Sequence, residues 1–409
     1  MTGLFNEPSN ILADELPQRL DSLRRVMRER DLTALLLTAP EDIYYLTGLA
    51  HQEYFAFSML VVPSAGPSVL VTREMERTTV ADLAPSVVHV PYADDERPSD
   101  ASARALRTAI DGADAAKGRV GVDRAGMNFP LAVWEELVEA CAYAEFCDGS
   151  GLVEDLRQVK SGAEIGCVRQ AAEVSSRAME AGIAAVASGV TERDIAAAVS
   201  TTLITEGSEP PGFVPLIRAQ DRLFQEHCTW TDRTIVEGDR VFIELSGSVA
   251  RYHAPLTRMV YVGAPHPQLA DSAALVTAGL ETVRAALVPG AQAGDVYAAW
   301  QKVMDEGLGH DRYRRHHCGY MTGIGFPPSW SGGGVPVGLR HDSELEIKAG
   351  MVFHVISWLL GQQLPDYVLS DTMIVTGDGG EILTPPVATR SSRCNPSPMQ
   401  PVTMSAVSM

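Results

Sequence analysis

The chain is short of positive charge, of paired cysteines and of long apolar runs, and each shortage removes a class of function. Lysine and arginine number 33 against 52 aspartates and glutamates, a formal net charge of -19 at pH 7. So acidic a surface repels phosphate backbones and anionic lipid, so neither nucleic acid nor a membrane is expected as a partner. No stretch approaches the roughly 18 uninterrupted apolar residues that a membrane span needs. Cys141, Cys147, Cys167, Cys228, Cys318 and Cys394 contain no C-x-x-C pair, and no basic-then-apolar leader precedes them. Both features point to a reducing cytoplasm. The glycines of Gly319-Tyr320-Met321-Thr322-Gly323-Ile324-Gly325 give no G-x-G-x-x-G, and no helical pattern follows, which excludes a phosphate loop there.

What remains is an ordinary globular chain, 45% hydrophobic over 409 residues and long enough for two domains. Leu16, Leu20, Leu23 and Met27 recur at helical spacing, and Ala34-Leu35-Leu36-Leu37 is a short apolar strand. Strands near Ser58 to Val62, Ser68 to Val71, Val87 to Val90, Arg119 to Val122 and Ala144 to Asp148 alternate with helical patterns near Arg73 to Leu83, Ala101 to Ile110 and Pro130 to Ala142. That alternation predicts an α/β N-terminal domain. A long helix is expected from Gly162 to Val186, and Thr191-Glu192-Arg193-Asp194 opens the next with a capping-box pattern. Val241 to Val249 and Tyr252 to Val262 predict a hairpin, followed by helices at Gln268 to Leu287 and Ala293 to Glu306. Beyond Pro385 the Ser-, Pro- and Met-rich segment has no periodicity and predicts a disordered tail. The expected division is 1–155, 156–386 and a tail at 387–409.

Several stretches carry chemistry. They are His227, Glu237-Gly238-Asp239-Arg240-Val241-Phe242-Ile243-Glu244, His253-Ala254-Pro255-Leu256-Thr257-Arg258, the Gly319 to Gly325 segment, Lys348-Ala349-Gly350-Met351-Val352-Phe353, and Ser370-Asp371-Thr372-Met373-Ile374-Val375-Thr376. In order and spacing they resemble the creatinase, aminopeptidase P and methionine aminopeptidase family, whose catalytic domain has the pita-bread fold. The resemblance implies an α+β pita-bread domain of two similar halves behind a creatinase-like N-terminal domain. In that family two Asp, one His and two Glu hold a pair of divalent metals. Carried over, those positions fall on Glu244, Ala254, Tyr320, Ile356 and Ser370. Ala and Ile offer no donor atom, and Tyr and Ser rarely ligate a divalent ion, so no metal and no other cofactor is expected.

Glu244 lies in the apolar run Val241-Phe242-Ile243-Glu244-Leu245, where a charge costs several kcal/mol unless it has a partner or a purpose. It reads as a catalytic nucleophile or base, with a buried ion pair to Arg258 as the plain alternative. His227 matches a proton-transferring histidine of the family, and imidazole as a group suits proton transfer near neutrality. Tyr320 reads as a phenol that orients a substrate oxygen, or as a core tyrosine. Phe326-Pro327-Pro328-Ser329-Trp330 resembles a segment of the ectoine hydrolases and of dimethylsulfoniopropionate lyases in this fold. Phe326 and Trp330, with His253, are therefore candidates for substrate binding, or for a rigid aromatic wall. Tyr54 and Phe55 match a loop that in creatinase-like dimers reaches the partner's site, which implies a homodimer. The function these features predict is metal-independent hydrolysis of a C-N bond in a small zwitterion, ectoine or a hydroxylated relative first. Creatinase-like amidinohydrolysis, lyase chemistry and a non-catalytic binding module are the alternatives.

Overall fold

The computed structural model describes residues 7–52, 55–110, 118–332 and 336–384, with side chains from residue 12 onward. Tyr54 and the expected tail at 387–409 lie outside the described residues.

Helix α1 (Glu7–Glu29) leads into β1 (Ala34–Leu37), α2 (Pro40–Thr47), β2 (Met59–Pro63), β3 (Val69–Val71), α3 (Arg77–Leu83), β4 (Val88–His89), α4 (Pro98–Ile110), β5 (Arg119–Val122), α5 (Leu131–Ala140), β6 (Glu145–Asp148) and α6 (Leu152–Gln158). The strands form one mixed sheet in the order β4-β3-β2-β1-β5-β6. Strand β1 is buried along its whole length because it is covered on both faces. Leu35 and Leu37 join a core with Leu23 and Met27 of α1, while Ala34 and Leu36 join another with Ala105 and Leu106 of α4. An apolar run without polar alternation is the expected signature of a strand buried on both sides.

The second half starts at α7 (Gly162–Ala185) and α8 (Glu192–Thr205), each opened by a complete capping box, Ser161 with Glu164 and Thr191 with Asp194. Then come β7 (Leu216–Ala219), β8 (Arg240–Val249), β9 (Tyr252–Tyr261), α9 (Leu269–Ala286), α10 (Ala293–Leu308), β10 (Gly319–Met321), β11 (Val352–Leu359), β12 (Tyr367–Thr376) and β13 (Gly379–Ile382). The sheet order is β10-β11-β12-β9-β8-β7, with β13 on β12. Two helices followed by three strands occur twice, and the repeats meet where Thr257 of β9 stands opposite Ser370 of β12. This is the two-halved pita-bread arrangement, an α+β domain behind an α/β one.

Alternation along each strand divides the sheet into two faces. Val241, Ile243 and Leu245 pack with Val174, Met179 and Val199 of α7 and α8, and Trp300 of α10 donates to Ser357 of β11. The opposite face therefore receives Phe242 and Glu244, and with them the even-numbered residues of β11. The β8–β9 hairpin turns through Ala250 and Arg251 at φ 47° and 63°, a left-handed pair unusual for residues other than glycine. Arg251 anchors that turn by donating to Gly325 O at 2.6 Å. Among the described residues no helix is long and apolar enough to cross a membrane.

Candidate active site

Glu244 stands on the helix-free face, opposite Thr257 on β9 and Leu216 on β7. It is 9% exposed, and no ion pair reaches it among the described residues. Burial pushes its carboxyl up to about 7, with the Arg218 guanidinium opposing the shift. The pair with Arg258 does not form. Arg258 is registered against Ile243, one residue off, so its side chain leaves on the helix-facing side and meets Asp371 at 2.7 Å.

A hydrogen-bond chain joins the strands of the second repeat. Trp330 Nε1 donates to Tyr320 Oη at 2.7 Å, Tyr320 Oη meets His354 Nδ1 at 3.0 Å, and His354 Nε2 meets Ser370 Oγ at 2.6 Å. Burial raises the Tyr320 hydroxyl and drives His354 far below the usual histidine range, so both are neutral. His354 was not among the residues singled out from sequence. Its signal was a histidine in the apolar run Val352-Phe353-His354-Val355, two residues from Ile356 and hence on the same face.

The remaining candidates scatter. His227 is exposed at φ 60°, its ring stacked on Phe213 at 6.0 Å between centroids. Phe213 in turn meets Trp330 edge-on at 4.7 Å. His227 thus adjoins the aromatic wall without a hydrogen bond to Glu244. His253 is fully buried, and its Nε2 accepts from Gly212 N at 2.9 Å. Burial lowers its pKa to about 3, so it is a neutral prop for the backbone before Phe213, away from the substrate-binding role expected of it. Phe326 also leaves the site. It packs edge-on against Tyr44 at 6.1 Å beneath the Arg251 guanidinium, in the contact between the domains. Phe55 is 79% exposed on the N-terminal domain.

Arg218, which no sequence pattern marked, lies on β7 opposite Phe242 and on the face of Glu244. It is 3% exposed and rests 4.2 Å above the Phe242 ring.

The metal positions of the resemblance do not make a metal site. Ala254 is registered against Gly247 and faces the helices, so Pro255, opposite Ser246, takes its place on the site face and likewise offers no donor. The Ser370 hydroxyl and the Tyr320 phenol are committed to His354, and Ile356 has nothing to give. Glu244 is the single carboxylate left of five ligand positions, too few for a two-metal centre.

The sequence matches the metallopeptidase family M24 model over residues 166–377 and the creatinase/prolidase N-terminal domain over residues 19–159. The chain belongs to metallopeptidase family M24. Its relatives include an uncharacterized hydrolase/peptidase, y4tM, of Sinorhizobium fredii, 29% identical over 386 residues that cover 90% of this chain and 95% of that one. The ectoine hydrolase of Halomonas elongata is 26% identical over 389 residues, covering 90% and 95%. Among solved structures, the Xaa-Pro dipeptidase from Bacillus anthracis superposes with a TM-score of 0.77 at 20% identity, covering 90% of this chain and 97% of that one. As a member of that family it is a hydrolase.

Proposed function

We propose that this M24 protein is a metal-independent hydrolase that opens a C-N bond in a small zwitterion, with ectoine or a hydroxylated relative as the substrate. The observation that carries the reading is a buried Glu244 with no ion pair among the described residues, on a face where two of the other four metal positions, Tyr320 and Ser370, are committed to a neutral hydrogen-bond chain through His354. A dinuclear peptidase needs those positions for ligands, which weighs against the peptidase reading that the dipeptidase neighbour invites.

A buried carboxylate is held at a high free energy, and it attacks the electrophilic amidine carbon either by deprotonating a water that adds there or by adding itself, with a water then cleaving the bond it has formed and freeing the carboxylate. The bond to one ring nitrogen then breaks, and that nitrogen must take up a proton as it leaves. His227 is assigned that donation, closing from its stack on Phe213. Tyr320, protonated and already fixed by Trp330, is assigned to hold a substrate oxygen, and the aromatic wall of Phe213 and Trp330 suits the cationic end of a zwitterion. The active species is proposed to be a homodimer, with Tyr54 and Phe55 of one subunit lying over the other's site, and cytoplasmic. The decisive test is turnover of a panel of compatible solutes by chelator-treated protein, followed by NMR. Ring opening of ectoine supports the reading, and hydrolysis of Xaa-Pro dipeptides with no solute turned over sinks it.

A further inference from the structure

We infer that Arg218 is the carboxylate anchor of this site and restricts its substrates to molecules with a free carboxylate a short reach from the reacting carbon. The inference rests on the reading of Glu244 given above. Arg218 has an almost fully buried side chain, yet among the described residues no carboxylate pairs with it. Its Nη1 is spent on Gln225 O at 2.6 Å. Its Nε is buried with no acceptor, and Nη2 has none among the described residues either.

The unspent edge is therefore the Nε–Nη2 side of the guanidinium, whose two parallel N–H bonds match the two oxygens of a carboxylate. A buried donor left without an acceptor is costly, so such an edge calls for a ligand. The planar group is held on both sides of this requirement: Phe242 supports it from below at 4.2 Å, and the bond to Gln225 stops it from turning. Glu244 and Arg218 influence each other's ionisation without forming an ion pair. They stand on neighbouring strands, since Leu216 is opposite Glu244 and Arg218 opposite Phe242. A small molecule bridging them would place its carboxylate on the guanidinium and its ring carbon at Glu244. Neutralising the buried cation would also weaken the attraction that holds Glu244 ionised, leaving that carboxylate more basic once substrate is bound.

Equilibrium binding and turnover of ectoine and of its carboxamide, by wild type and by Arg218→Gln and Arg218→Lys, test the assignment. Wild type should bind the carboxylate at least tenfold tighter than the carboxamide. Arg218→Gln should abolish that preference and raise KM for ectoine by roughly 10- to 100-fold, with a smaller effect on kcat. Lysine, a point charge without the fork, should recover only part of the preference. Far-ultraviolet dichroism and a melting curve on each variant establish that it is folded. Because binding is scored apart from turnover, a chain that binds ectoine through Arg218 and leaves the ring intact sinks the hydrolase reading alone. A hydrolase that takes ectoine and its carboxamide with equal KM, before and after Arg218→Gln, sinks the anchor alone. A wild type that binds neither molecule overturns both.

Discussion

At the scale of single residues, Glu244 carries two predictions of opposite sign. Its proton is released near 4.5 in the unfolded chain and near 7 in the folded one, so the folded state holds the proton more tightly. Stability is unaffected below about pH 4 and is lost as pH rises between those values, reaching about 3 kcal/mol above pH 7. Glu244→Gln removes that penalty: its melting temperature should equal the wild type's near pH 4 and exceed it at pH 8. The same variant should lose roughly a hundredfold or more in kcat, and wild-type kcat/KM should climb with pH through about 7 as the carboxylate of the free protein ionises. A variant that keeps near wild-type turnover would show Glu244 to be merely tolerated. His227→Asn should lose a similar factor, with the double variant little worse than either single one, because two groups that act in one proton transfer are not additive.

At the scale of elements, the second repeat depends on a chain of neutral hydrogen bonds running from Trp330 through β10 and β11 to β12. Tyr320→Phe takes the partner from both Trp330 Nε1 and His354 Nδ1. Leaving buried groups unpaired costs about 1 to 3 kcal/mol each, so the variant should melt several degrees lower, measurable by calorimetry. Ser370→Ala, which strands only His354 Nε2, should cost about half as much. His253→Ala should release the backbone at Gly212 and with it Phe213, raising KM more than it lowers kcat. Equal changes in both constants would mean that the Gly212 to Phe213 segment does not bear on substrate binding.

For the whole molecule, the predictions concern what it needs besides itself. With one carboxylate surviving from five ligand positions, elemental analysis should find no stoichiometric transition metal, and activity should persist in EDTA. About one or two equivalents of Mn, Fe or Zn per chain would contradict this. If the loop around Phe55 completes a neighbour's site, then mixing two inactive proteins, one altered at Phe55 and the other at Glu244, should restore part of the activity. A fully active monomer by light scattering would end that idea.

The sequence by itself determined the elements and the presence of a misfit. Apolar periodicity and capping residues are local signals, so the helices at Gly162–Ala185 and Glu192–Thr205 and the β8–β9 hairpin were legible. So was Glu244, because a carboxylate in an apolar strand is anomalous whatever lies around it. Partners were not legible, because they depend on which residues face each other across strands. A register offset of one residue sends Arg258 to Asp371 instead of Glu244, and puts Pro255 rather than Ala254 on the site face. His354 became central only when β10 and β12 were laid on either side of β11, which joins Tyr320 to Ser370 across 50 positions of chain. Arg218, in a strand of four residues with no motif around it, acquired a meaning only when packing spent one end of its guanidinium and left the other edge without an acceptor among the described residues, on the strand next to Glu244. Side-chain alternation is set by the backbone and written locally. Whether two alternating strands bring a charge to its partner or leave it waiting for a ligand is decided by the sheet they share.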